Sequence, residues 1–187
     1  MNSLVIDTAT IRTSCSIFRG ETEIFQAQHD GATEHAEALP EMVRTGLAIE
    51  PQIDQVIVGM GPGPFTGLRV GIAFAQSFAT ARNIPWYGVC SLDGIVPPIG
   101  PDEYVVATDA RRGELYWARY KSGERIDGPR VSAVSELHQL TLAKFGFSLT
   151  EPLFPNPARL LSAAITHRIT EPLYLRRPDA IPTSERR

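Results

Sequence analysis

The chain has 187 residues, of which 43% are hydrophobic and 21% charged, and its formal net charge is −3. These are ordinary values for a globular protein, and the length suits one large domain or two small lobes. The negative charge argues against a protein that binds nucleic acid over its whole surface. Two cysteines cannot form a disulfide framework, so we expect free thiols in a reducing cytosol.

The first residues lack a basic segment followed by an apolar one, so we expect no secretory signal. The longest apolar-rich stretch, residues 68–81, contains Arg69 and Gln76 and is too short and too polar to span a bilayer. We therefore expect a cytoplasmic protein with no membrane contact.

The first half of the chain alternates between strand and helix patterns. Short aliphatic or alternating runs predict strands, and apolar residues at helical spacing predict helices. In chain order they predict strands at residues 4–6, 14–18 and 24–26, a helix at 34–49, a strand at 56–58, a helix at 66–82 and a strand at 86–89. Pro40 has to lie in the first turn of its helix or kink it.

The opening pattern then recurs. Residues 104–111 repeat residues 4–9, each being an aliphatic strand that ends in an aspartate, Asp7 or Asp109, and a turn. A strand at 114–120 and a hairpin turn at 121–124 follow, with the boundary near the proline-rich residues 97–101. This degenerate duplication predicts two lobes, residues 1–101 and 102–187.

The second copy is short. It holds helical patterns near residues 133–143 and 157–167, a brief apolar run at 173–175, and a polar tail at 176–187 that we expect to be flexible. Two lobes that each open with a three-stranded meander and an aspartate resemble the actin-like/sugar-kinase/heat-shock ATPase (ASKHA) superfamily. The resemblance implies an α/β fold with a metal–phosphate cleft between the lobes, here with a truncated second lobe that leaves little room for an adenine pocket.

Residues 59–71, GMGPGPFTGLRVG, form a glycine-rich turn from a strand to a helix that Thr66 is predicted to cap. Such a turn presents backbone N–H groups and a positive helix end, which suits an anion or, alternatively, the close approach of another chain. The turn lacks the Gly-Lys-Ser/Thr of a Walker loop, and no register of Gly-x-Gly-x-x-Gly fits it. We therefore expect the glycines to allow the close approach of another chain, and we disfavour an anion-binding site.

Small residues recur every fourth position along the helix after this turn, in a row formed by Gly67, Gly71, Ala75 and Ala79. Such a row lets a partner helix approach closely, and it serves packing on the chain's own sheet equally well. Both alternatives stay open from the sequence.

Catalytic motifs are scarce. The four histidines include no pair four residues apart and no His-Glu-x-x-His motif, which disfavours zinc proteolysis, and we interpret His35 as a helix-start residue. Cys15 lies within a predicted strand and Cys90 ends one, so we expect both to be buried and inert. No Gly-x-Ser-x-Gly elbow occurs.

Asp7 and Asp109 are the strongest evidence in the sequence for a nucleotide-binding site, because carboxylates at strand ends can hold Mg²⁺ through water. An aspartate also caps its own turn, and we favour that role or a weak vestigial site. Arginines such as Arg111 and Arg176 can contact tRNA phosphates, although solvated surface is the simpler use.

Six segments carry a more specific resemblance: residues 6–10 (IDTAT), 34–40 (EHAEALP), 61–71, 88–92 (GVCSL), 109–117 (DARRGELYW) and 171–176 (EPLYLR). Together they resemble the TsaB (YeaZ) family of the glycoprotease-like superfamily. Pro64 stands where family members usually have serine, and the second lobe is shorter than usual.

The resemblance implies a non-catalytic scaffold subunit of the bacterial complex that forms threonylcarbamoyladenosine next to the anticodon of ANN-decoding tRNAs. It implies helix-to-helix pairing with the catalytic paralogue TsaD, association with the TsaE ATPase, indirect contact with tRNA, and possible homodimers of the free chain. The alternatives are an autonomous ATPase or phosphotransferase and a peptidase.

The expected sites follow from the residues and the resemblance together. The predicted partner interface contains Glu34, His35, Leu39, Met42, Gly67, Arg69, Gly71, Ala75, Phe78 and Ala79. The predicted vestigial nucleotide cleft contains Asp7, Thr8, Gly61, Gly63, Asp109 and Arg111. We expect no metal, no catalytic residue and no resident cofactor, with weak binding of ATP or ADP at most.

Overall fold

A computed structural model describes residues 1–97, 101–146 and 152–176. The strands are β1 (Asn2–Asp7), β2 (Arg12–Arg19), β3 (Thr22–Asp30), β4 (Gln55–Gly59), β5 (Trp86–Val89), β6 (Glu103–Asp109), β7 (Glu114–Lys121), β8 (Glu124–Ala133), β9 (Ala143–Phe145) and β10 (Arg168–Ile169). The helices are α1 (His35–Ile49), α2 (Phe65–Arg82), α3 (Val134–His138) and α4 (Pro157–Thr166), with a 3₁₀ turn at Ser91–Gly94.

The strands form two sheets, ordered β10-β5-β4-β1-β2-β3 and β8-β7-β6-β9. In the first sheet β1, β2 and β3 are antiparallel neighbours, while β4 and β5 run parallel to β1. In the second sheet β6, β7 and β8 repeat the antiparallel meander. The two-lobed α/β fold with a meander opening each lobe is therefore confirmed.

The central strands of the first sheet, β1 and β4, are buried on both faces because their side chains alternate between two cores. Leu4 and Ile6 of β1 belong to the core beneath α1 and α2. Val5, between them, belongs to the core on the opposite face, where Leu160 of α4 packs. Every residue from Leu4 to Asp7 is buried, which places the end of β1 deep inside the first lobe.

Helix boundaries differ from the predictions in small ways. The residue at the N-cap of α2 is Pro64, and the predicted cap, Thr66, lies exposed in the first turn, so that prediction is wrong. Helix α1 begins at His35, one residue after the predicted start, and its exposed Pro40 lies in the second turn instead of the first.

The second half departs further from the sequence interpretation. The helix predicted near residues 133–143 ends at His138, and residues 143–145 form β9 beside β6. Helix α4 matches the predicted helix, yet it packs against β1, β4 and β5, and β10 pairs with β5. Assigning residues 157–169 to the second lobe is therefore wrong, because their apolar residues complete the first lobe. Part of the predicted boundary (98–100) and most of the predicted tail (177–187) lie outside the described residues.

Candidate functional site

The turn after β1, residues 7–10, is the centre of the candidate site. Asp7 Oδ1 accepts a hydrogen bond from the Ala9 amide at 2.9 Å, so the side chain caps its own turn. Thr8 is fully buried, and its hydroxyl donates to the carbonyl oxygen of Gly67 in the first turn of α2 at 2.8 Å. The turn is thus joined to the helix that follows the glycine-rich segment.

The glycine-rich segment packs directly on this turn. A methyl group on Gly63 would lie 2.3 Å from the carbonyl oxygen of Ala9, and one on Gly67 would lie 2.7 Å from that of Thr8. Gly59 is as tightly placed, since a methyl group there would lie 1.8 Å from Asp7 Oδ2. The close approach that we predicted for a partner chain is therefore made by the chain's own turn.

Asp7 is 1% exposed at the end of β1. Burial raises the pKa of its carboxyl from 3.8 to about 6, while the Ser91 hydroxyl and the Ala9 amide lower it to a smaller extent. Oδ2 lies beside the Ser91 hydroxyl but has no partner of good hydrogen-bond geometry among the described residues. Ser91 was not among the residues predicted for the site, although residues 88–92 carry part of the family resemblance.

Ser91 also holds the glycine-rich segment. Its amide donates to the carbonyl oxygen of Gly61 at 2.7 Å, and its hydroxyl accepts from the Gly61 amide at 3.2 Å. Gly61 adopts a φ of 92°, which favours glycine. Asp7, Ser91 and the glycine-rich segment therefore form one packed unit.

Asp109 occupies the equivalent place in the second lobe, and its surroundings differ. Its Oδ1 accepts from the Arg111 amide at 2.7 Å, which is again a cap of its own turn. Its side chain is 60% exposed and lies 3.5 Å from the Arg111 guanidinium. The carboxylate is therefore solvated, and an exposed ion pair of this kind contributes little to stability.

A cleft of about 230 Å³ separates the two lobes. The first lobe contributes Thr10, Ile11 and Pro64, and the second contributes Asp109 and Arg111 together with Thr108, Gly146 and Pro152, Leu153 and Phe154. Of the predicted cleft residues, Asp109 and Arg111 line it, whereas Asp7, Thr8, Gly61 and Gly63 are buried beneath it. The structure does not bring these six residues to one surface, which corrects that prediction.

The predicted partner interface is divided in a similar way. The buried members are His35, Leu39, Met42, Gly67, Gly71, Ala75 and Ala79, and Glu34 and Arg69 are exposed while Phe78 is half-buried. A methyl group on Gly71 would lie 2.4 Å from the Thr8 hydroxyl oxygen. The row of small residues therefore faces the chain's own sheet, and the prediction that it faces a partner is wrong.

A different row of α2 faces outward. Ala73 and Ser77, four residues apart, are exposed with Arg69, and the half-buried rings of Phe74 and Phe78 stack beside them at 6.0 Å. The polar positions 69, 76 and 77 mark this face in the sequence, and they were the signal that could have separated it from the buried row.

The histidine and cysteine side chains fit structural roles. His35 is the first residue of α1, its Nδ1 lies 2.7 Å from the Thr13 hydroxyl, and burial lowers its pKa. Cys15 and Cys90 are buried free thiols, and burial raises the pKa of each to about 12. Thiols that stay protonated are poor nucleophiles.

Within the ranges that the structure describes, no three His, Cys, Asp or Glu side chains gather as a metal site would require. No helix among the described residues is long and apolar enough to cross a membrane.

The fold and the site define a class: a two-lobed α/β protein in which each lobe opens with an antiparallel meander and the glycine-rich turn packs on the β1–β2 turn of the same chain. The family model described as "TsaD: tRNA N6-adenosine threonylcarbamoyltransferase" matches residues 27–166. The chain belongs to this family, and within it is a TsaB/YeaZ-type protein.

Individual relatives agree with this placement. "Uncharacterized protein Rv3421c" of Mycobacterium tuberculosis is 42% identical, over 96% of this chain and 93% of its own length. The "tRNA threonylcarbamoyladenosine biosynthesis protein TsaB" of Escherichia coli is 35% identical, over 66% of this chain and 57% of its own length. "YeaZ from Pseudomonas aeruginosa" has the same fold, with a TM-score of 0.73 at 22% identity over 93% of this chain and 99% of that chain.

Coverage differs among the relatives. The chain spans 56% of the length of a Mycobacterium leprae relative, ML0378, and 57% of the Escherichia coli TsaB.

Proposed function

We propose that this chain is a non-catalytic scaffold subunit of the bacterial machinery that forms threonylcarbamoyladenosine in tRNA, and that it pairs with the catalytic paralogue TsaD. The family match and the relatives named TsaB support the pathway. The packing of the glycine-rich segment on the turn at residues 7–10 supports the non-catalytic role and is the observation that carries it.

That packing removes the features a phosphate site would use. The inner side of the segment lies against the backbone of Thr8 and Ala9, so a phosphate there would overlap these residues. The carboxylate that would face a metal–phosphate group, Asp7, is buried and capped by its own turn. Its pKa of about 6 reflects burial. A general acid or base has to lie within hydrogen-bond reach of its substrate, and Asp7 is buried beneath the cleft instead of lining it.

The remaining cleft supports weak nucleotide binding at most. Its volume of about 230 Å³ is below the roughly 300–1,000 Å³ of typical ligand pockets. We expect calorimetry on the isolated chain to give a dissociation constant for ATP or ADP of roughly tens of micromolar or weaker. A nanomolar constant, with turnover that disappears in Asp109→Ala, would favour the autonomous ATPase instead.

The outward row of α2 supplies the partner surface in this proposal. Ala73 and Ser77 are small enough to let a partner helix come close, and Phe74 and Phe78 offer apolar edges beside them. The same surface would be covered when the free chain forms a homodimer. In the assembled complex we propose that tRNA is held mainly by the catalytic partner, since this chain has a net charge of −3, and that the TsaE ATPase joins the pair.

Substitutions on the two rows of α2 test the surface. Ala73→Arg should leave the fold intact and weaken pairing with TsaD by roughly tenfold or more, because an unpaired charge would lose its water in the interface. Ser162→Arg, exposed on α4 at the opposite face of the sheet, is the matched control. Sedimentation of mixtures with TsaD gives the affinities, and equal pairing by both variants would contradict the assignment of this face.

The pathway itself is tested in cells. Depleting the protein should remove threonylcarbamoyladenosine from ANN-decoding tRNAs, as measured by nucleoside mass spectrometry. Complementation should fail with Ala73→Arg and succeed with Ser162→Arg. Normal modification after depletion would remove the proposed function, whereas rescue by Ala73→Arg would reject only the proposed surface.

A further inference from the structure

The C-terminal end of the described chain, residues 172–176, crosses from one lobe to the other and is called the strap here. The Leu173 amide donates to the carbonyl oxygen of Met60, in the glycine-rich segment of the first lobe, at 2.8 Å. Three residues further on, the Arg176 guanidinium donates to the carbonyl oxygen of Ala110 in the β6–β7 turn of the second lobe. Backbone bonds within the strap, from the amides of Tyr174 and Leu175, keep it compact between these two points.

Side chains strengthen both attachments. At the first lobe, the Tyr174 ring lies 5.0 Å from the ring of Phe65, the first residue of α2. At the second lobe, Arg176 Nε lies 3.3 Å from a carboxylate oxygen of Glu114. Glu114 closes the β6–β7 turn, because its amide and carbonyl bond to the backbone of Arg111 and Ala110.

The attachment points flank the cleft between the lobes. Pro64 lies next to Phe65 and lines the cleft from the first lobe, and Asp109 and Arg111 line it from the turn that Arg176 holds. Opening the cleft would move these walls apart, so it would have to break the contacts at one end of the strap.

The side-chain contacts that hold the strap are partly exposed to solvent, so breaking them costs little free energy. Tyr174 is 41% exposed and Phe65 38% exposed. The pair of Arg176 and Glu114 is also partly exposed, at 22% and 38%, and such pairs are weak in water. The apolar anchor of the strap is Leu173, which is partly buried and packs against the cluster between the second sheet and the 3₁₀ turn.

We propose that the strap is a releasable lock, which holds the two lobes in the closed arrangement and lets the cleft open when its Tyr174 and Arg176 ends detach. Leu173 remains as the pivot in this arrangement. The free chain therefore exchanges between a closed state, in which the cleft is narrow, and a rarer open state.

Distance measurements between the lobes test the lock directly. Spin labels would be attached to Gln26→Cys on β3 and Lys121→Cys at the end of β7, both exposed and outside the α2 surface proposed for pairing. The native Cys15 and Cys90 stay unlabelled, because burial raises the pKa of each thiol to about 12. The intact chain should give one narrow distance distribution, and Tyr174→Ser combined with Arg176→Ala should give a broader one shifted to longer distances.

Amide hydrogen exchange on the same variants gives a second readout. The double variant should exchange about tenfold faster at residues 59–66 and 109–114, while α1 stays unchanged. Glu171→Gln, an exposed neighbour of the strap, is the matched control and should behave as the parent chain. Unchanged distances would overturn the lock, and so would faster exchange throughout the chain, since that would mean the strap only adds general stability.

Discussion

The turns at the ends of β1 and β6 have nearly the same local structure and opposite surroundings. In each, an aspartate accepts a hydrogen bond from the amide two residues ahead. Asp7 is 1% exposed beneath the glycine-rich segment, and the Asp109 side chain is 60% exposed beside Arg111. One sequence pattern thus produces a buried carboxyl in one lobe and an exposed one in the other, because the glycine-rich segment covers the side chain of Asp7 and no such segment covers the side chain of Asp109 among the described residues.

The largest expected difference between the two turns is the loss in free energy of unfolding when a glycine next to each turn is replaced by alanine. Gly63→Ala should destabilise the chain by more than about 3 kcal/mol, because its methyl group would meet the Ala9 carbonyl, which no change of rotamer can move aside. Gly113→Ala should cost only about 1 kcal/mol, since its φ of 75° disfavours alanine but no atom of the described residues lies within 4 Å of the new methyl group. Urea unfolding measures both, and equal losses would mean that the glycine-rich segment does not pack tightly on the turn.

Asp7→Asn should change how stability depends on pH. The folded chain holds the proton of Asp7 with a pKa of about 6, compared with 3.8 in an unfolded chain. Stability from this group is therefore fully present below pH 3.8 and is lost as the pH rises to about 6. At about 1.36 kcal/mol per pKa unit the loss is about 3 kcal/mol, so the asparagine variant should gain up to that much over the parent chain at pH 7.

The measurement is urea unfolding of both chains between pH 4 and pH 8. Asp109→Asn is the control, because replacing an exposed carboxylate should change stability by less than about 0.5 kcal/mol. If Asp7→Asn kept the slope of the parent chain, Asp7 would not be the group responsible.

Ser91→Ala should have a smaller effect and sharpen the same comparison. The Gly61 amide would lose its acceptor, at a cost of about 1 kcal/mol. The Ser91 hydroxyl also lowers the pKa of Asp7, so the pH-dependent loss should extend to higher pH in the variant. Ser77→Ala, on the exposed face of α2, is the control and should show neither change. An unshifted pH profile in Ser91→Ala would mean that the Ser91 hydroxyl does not lower the pKa of Asp7.

Much of the first lobe could be predicted from the sequence, because its signals are local. Aliphatic runs ending at Asp7 and Gly59 gave the strands, and helical spacing gave α1 and α2 to within one residue. The second lobe was harder. The helix expected near residues 133–143 gave way to β9, whose three residues gain a backbone partner only when β6 lies beside them.

The sequence by itself determined the duplicated meander, the capping of both aspartate turns and the family of the chain. The tertiary structure decided what the buried row of α2 packs against, because Gly71 lies on Thr8 of the turn after β1 and no local sequence signal pairs these two distant residues. It also decided that α4 completes the first lobe, since the sequence of an amphipathic helix does not specify which uncovered apolar surface the helix packs against. The pKa of Asp7 was decided in the same way, because it depends on how much water reaches the carboxyl after the glycine-rich segment has packed over it.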